Sequence, residues 1–161
     1  LLDEKALAAC LAYVDLNPVR AKMAKTPETS EHTSVKVRAA KAKSTYQPNH
    51  PKQQADKLMP FVGNPRNNMP EGLPFRLTDY LALIDLTGRA IREDKRGYIE
   101  RHQPEILMRL GIETNNWLTM TKEFEKSFKD LVGEPNILNK ATKLLNRKRR
   151  PAFKNCEILL A

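Results

Sequence analysis

The side chains able to hold a metal, carry a proton or attack as nucleophiles are scattered through this sequence. His32, His50 and His102 are far apart, and none belongs to a metal-ligand pair at helical or strand spacing. Each reads as a surface or loop residue. Two cysteines cannot build a disulfide framework, and Cys10 falls on an apolar stripe, where it reads as a small buried hydrophobe. The acidic pairs Asp3-Glu4 and Glu93-Asp94 lie at expected helix ends, where they favour the helix dipole or stay wet. There is no Gly-rich phosphate loop and no Gly-x-Ser-x-Gly elbow. The chain therefore has no self-contained catalytic constellation and no metal site of its own.

One cluster stands apart. Residues 136–154 carry seven Lys/Arg and no Asp or Glu. At 100° per residue, Lys140, Lys143 and Arg147 fall within about 60° of arc on the last expected helix and run into Lys148, Arg149 and Arg150. Cations in a last helical turn balance the dipole and keep a surface solvated. The competing reading is a cationic edge offered to phosphates by the final member of a helix-turn-helix-like cluster (104–110, 116–132 and 135–149). No aromatic residue interleaves with these charges, which argues against a stacking platform for single strands there.

The whole chain has a net charge of +9 and a sequence pI near 9.7. Residues 61–135 are nearly balanced, with 11 Lys/Arg against 12 Asp/Glu, so the excess sits toward the two ends. Such a chain is drawn to polyanions without sequence preference. No stretch approaches the roughly 18 apolar residues of a membrane span, and no signal peptide is visible, so a cytoplasmic setting without membrane is expected. The first residue is Leu1 and the chain opens inside an expected helix, which reads as a fragment.

The elements that must position these residues are helices. Asp3 is a plausible N-cap for a segment running to about Leu16, in which Leu7, Cys10, Leu11 and Val14 recur at i, i+3, i+4 and i+7. Leu2, Ala6, Ala9 and Tyr13 form a second, small-residue face, and Lys5 and Asp15 mark the wet side. Asn17-Pro18 stops this helix. A short basic helix is expected over 34–43, then a linker over 44–57, then a proline-rich strap to Phe75. Thr78 is expected to cap a helix ending near Gly97, and Pro104 to open one closed by Gly111. Trp117, Met120, Phe124, Phe128 and Leu131 make the clearest amphipathic stripe, ending at Gly133. Pro135 opens a last helix running to Pro151. With no repeats and no alternating strand, the expectation is all-α.

The first stretch, LLDEKALAACLAYVDLNPVRAKMAKTPE, resembles the C-terminal end of the catalytic domain in single-tyrosine HUH transposases, the REP-associated group in particular. The matching residues are Tyr13-Val14-Asp15-Leu16-Asn17-Pro18-Val19-Arg20-Ala21, followed by Met23 and Thr26-Pro27-Glu28. LPFRLTDYLALIDLTGRAIREDKRGYI is similar to the helical extension of one long subgroup. The resemblance implies a protein that cuts and rejoins single-stranded DNA near hairpins through a covalent 5′-phosphotyrosine. Tyr13 would be the nucleophile, and a divalent metal (Mg²⁺ or Mn²⁺) would sit on a His-hydrophobic-His pair. A phenol with a pKa near 10 needs such a metal on the scissile phosphate. The His-hydrophobic-His strand and the family's sheet are not in this sequence.

The resemblance thus implies the C-terminal helices of an α/β transposase domain over 1–43, a flexible linker over 44–57 and a small helical domain over 58–161 with a basic last helix. Leu7, Leu11 and Val14 would then be under-buried unless other helices cover them. Catalysis by this chain alone is not expected. Tyr13 is the expected catalytic residue of the intact protein, and Arg20, Lys140, Lys143, Arg147, Lys148, Arg149 and Arg150 are the expected DNA contacts. Partners would be single-stranded or hairpin DNA and, for a homodimer, a second copy. A stand-alone helical DNA-binding module and a non-functional remnant of a decayed mobile element are the alternatives. The first would bind DNA in a salt-sensitive way by itself; the second would not.

Overall fold

The computed structural model describes residues 1–63, 71–92, 104–149 and 152–160. Among these the chain is all-α. Eight α-helices follow in order: α1 (Glu4–Asp15), α2 (Asn17–Arg20), α3 (Ser34–Lys43), α4 (Leu77–Ile91), α5 (Glu105–Leu110), α6 (Thr114–Ser127), α7 (Pro135–Leu144) and α8 (Phe153–Leu159). The described residues hold one isolated bridge, between Phe61 and Leu73, and no strand. No helix among them is long and apolar enough to cross a membrane.

The chain divides into two compact units at other places than the expected linker: residues 1–14 with 107–161, and residues 15–106. In the first unit Asp3 does cap α1, accepting from the Ala6 N–H at 2.9 Å, and it also accepts from the Glu134 N–H ahead of α7. This double use needs Gly133, because a Cβ there would lie 2.7 Å from Asp3 Oδ2 and 2.8 Å from Leu2 Cβ.

On α1 the side with Leu7, Leu11 and Val14 is under-buried, as the resemblance implied, but the residues expected on the wet side are not exposed. Ala6, Ala9 and Ala12 are fully buried, whereas Leu7, Cys10 and Leu11 are half-buried and Val14 is 59% exposed. Lys5 and Asp15, expected to be wet, lie on the buried side. Lys5 donates to the Leu160 carbonyl at 3.0 Å and pairs with Glu134 at 3.0 Å. Alanine permits close approach, and a charged group with partners can be buried beside it.

Later helices in this unit close as their cap residues dictate. Gly111, at φ 64°, ends α5, with Ile112 N–H bonded to the Leu107 carbonyl. Asn146, at φ 49°, does the same for α7: its N–H bonds the Lys143 carbonyl, and the Arg147 N–H bonds the Thr142 carbonyl. This is a Schellman closure, so α7 stops at Leu144 and not at Pro151, which lies outside the described residues. A further helix that the sequence reading did not include, α8, follows and is tied by Asn116 to Ile158 and by Asn155 to Ser127. In α6, Trp117, Met120 and Phe124 are buried, and the helix ends at Ser127 with Phe128 buried beyond it.

The second unit is organised around Asp15, which is 2% exposed. It accepts from Ser34 Oγ (2.8 Å), the Val35 N–H (3.3 Å) and Tyr80 Oη (2.7 Å), joining the end of α1 to the starts of α3 and α4. Arg38, also buried, stacks over the Phe61 ring at 4.7 Å. Burial lowers the Arg38 pKa, and Asp15 and Tyr80 oppose that shift. Residues 44–57, expected to be a flexible linker, are built into this unit. Gln54 is 2% exposed and exchanges two 2.8 Å bonds with the backbone of Phe61. Asn49 Oδ1 accepts from the Thr78 N–H at 3.0 Å, so Asn49, and not Thr78, caps α4. α4 ends at Ile91 with Arg92 extended; Gly97 lies outside the described residues.

Candidate nucleic-acid interface

Tyr13 belongs to the first unit and is half-buried, its ring 5.8 Å from that of Phe124. An aromatic pair at that separation is ordinary packing. Among the described residues no group of three or more His, Cys, Asp or Glu could hold a metal ion. His32 and His50 are exposed, and His102 lies outside the described residues. The described residues therefore do not fit the divalent metal that the resemblance implies. Burial raises the thiol pKa of both Cys10 and Cys156, which disfavours the thiolate form.

The basic C-terminal cluster is less uniform than its sequence. Lys140 and Lys143 are exposed on α7, but Arg147, Lys148 and Arg149 follow the Asn146 turn and share no helix edge with them. Arg147 is ion-paired with Asp130, a carboxylate outside the 136–154 window. Lys148 and Arg149 are exposed, and Arg150 lies outside the described residues.

Arg20 leads to a better-formed site. Asn17 and Pro18 do not simply stop a helix; after Leu16 they start α2, with Pro18 in its first turn. The Pro18 carbonyl then accepts from Met23 N–H (2.8 Å) and Ala24 N–H (3.1 Å), and Lys22 takes φ 58°, folding residues 17–25 into a tight loop. The loop and the end of α4 enclose a cavity of about 410 Å³. Val19 and Ile91 line it, and so do four cations: Arg20, Lys22, Lys25 and Arg92. No carboxylate lines it among the described residues. Arg20 Nη2 donates to Asn17 Oδ1 at 2.9 Å, and Arg92 Nη1 donates to the Lys25 carbonyl at 3.0 Å. Each bond tethers its guanidinium group at one nitrogen.

Sequence reasoning named Arg20 and missed the other three. Lys22 and Lys25 were within reach of a local argument, being two and five residues beyond Arg20. Arg92 carried no local signal, because its contact with Lys25 spans 67 residues.

No family model, curated protein or solved structure was found to match the chain.

Proposed function

We propose that this chain binds single-stranded DNA through its phosphates, as part of a single-tyrosine HUH transposase in a cytoplasmic setting. The observation that carries this reading is the cavity in which Arg20, at the end of the Asn17-Pro18-Val19-Arg20 stretch, meets Lys22, Lys25 and Arg92. Clustered Arg and Lys neutralise phosphates and release condensed counterions, which supplies affinity with little sequence preference. Two further features support it. In the other unit Lys140, Lys143, Lys148 and Arg149 are exposed and would add phosphate contacts of their own, and the Leu7, Leu11 and Val14 side of α1 is only partly covered, as befits a helix that packs on a sheet in the family. By itself the chain grips DNA and does not cut it. In the intact protein Tyr13 is the residue we assign to the covalent step.

Fluorescence anisotropy with an unstructured DNA strand over a range of salt concentrations tests this. Four phosphate contacts give a slope of log K against log salt near −3, at roughly −0.7 per contact. Replacing Arg20 and Arg92 with Gln should flatten it by about 1.4 and weaken different sequences alike. A slope unchanged in the double variant, or a loss confined to one sequence, defeats the reading.

A further inference from the structure

Most phosphate grips string their cations along a groove, because successive diester charges are spaced along the strand. Here the cations converge. Arg20, Lys22, Lys25 and Arg92 face one volume of about 410 Å³, which is within the size range of small-ligand sites and well above the needs of a single phosphate. The imbalance is local. In the neighbouring cavity Lys25, Arg89 and Arg92 meet two carboxylates, Glu28 and Asp85, and Arg89 is paired to Asp85 at 2.6 Å. Among its described residues the second unit thus concentrates positive charge in one pocket while balancing it in the adjacent one.

A diester phosphate carries one negative charge, whereas a terminal monoester carries about −1.5 to −2 at pH 7 and presents three acceptor oxygens. Two guanidinium groups, each tethered at one nitrogen, suit that geometry, since Arg binds phosphate oxygens in pairs, and two lysines add point charge. Val19 is 5% exposed and, with Ile91, supplies an apolar wall for the sugar beside the phosphate. No aromatic side chain lines the cavity among the described residues, so base identity would go unread.

Resting on the DNA-binding reading above, we propose that this cavity takes the terminal phosphate monoester of a DNA strand, one nucleotide deep. The protein would thereby recognise a strand end as such.

The test compares one oligonucleotide sequence in three forms: 5′-phosphorylated, 3′-phosphorylated and with hydroxyls at both ends. Near pH 7.5 one phosphorylated form should bind about tenfold tighter than the hydroxyl form, the scale of one added charge-assisted contact pair. That preference should shrink below about pH 6, where the monoester loses its second charge. It should vanish in Arg20→Gln/Arg92→Gln. Lys22→Gln/Lys25→Gln, which alters two exposed side chains, should also remove it and serves as a variant that keeps the hydrogen bonds of the loop. A mononucleotide should compete for the phosphorylated strand better than inorganic phosphate does. Equal affinity for all three forms overturns the inference while leaving DNA binding intact. A preference that persists in the lysine variant, or equal competition by inorganic phosphate, overturns it too. If none of the strands binds, the inference falls together with the reading beneath it.

Discussion

At the scale of single residues, the most consequential side chains are polar ones that the chain buries. Asp15 gathers three donors from two other elements, and Gln54 satisfies both backbone groups of Phe61. A buried acceptor that loses a donor costs more than a surface bond, because nothing replaces the lost partner. Tyr80→Phe, which keeps the ring beside Phe61 at 4.9 Å and removes only the hydroxyl, should destabilise the fold by about 1.5–3 kcal/mol in chemical denaturation. Gln54→Ala should cost about 2 kcal/mol or more, since it strands a buried N–H and C=O together. A change below about 0.5 kcal/mol in either, the scale of an ordinary surface substitution, would remove these contacts from the account of stability.

At the scale of elements, local sequence and packing divide the work visibly. Gly111 and Asn146 end their helices through their own tolerance of positive φ; the glycine stop was readable along the chain, whereas the last helix was expected to run on to Pro151. α1 is different. Its apolar period is real, but the alanine side with Lys5 and Asp15 is what becomes buried. Asp3 then serves two elements, bonding the Ala6 N–H of α1 and the Glu134 N–H before α7. Asp3→Ala should therefore cost about 1–2 kcal/mol or more, at or above the upper range for a single N-cap. Asp3→Asn, which keeps acceptor oxygen at the cap, should recover part of it. Thermal unfolding of the two variants checks this, and equal losses would show that capping is not the reason.

At the scale of the whole molecule, residues 44–57 decide how the chain is organised, for they read as a connector and fold as part of the unit spanning 15–106. Amide hydrogen exchange should show the Phe61 and Thr78 N–H groups protected together with the interior of α4, because Gln54 and Asn49 hold them. Exchange at the rate of open loops would contradict that packing. The sequence by itself determined the helical class, the closure at Gly111, the cap at Asp3 and the concentration of positive charge, since each depends on neighbours a few residues apart. It also brought Arg20 forward as a candidate. Tertiary structure alone decided that Lys5 and Asp15 lie on the buried side of α1, that Asn49 caps α4, that Arg147 meets Asp130, and that Arg92 joins Arg20, Lys22 and Lys25 around one cavity. Periodicity reports where apolar side chains recur. Which face they turn inward, and which distant cations converge, depends on partners brought close only by the fold, and no local pattern encodes their arrival.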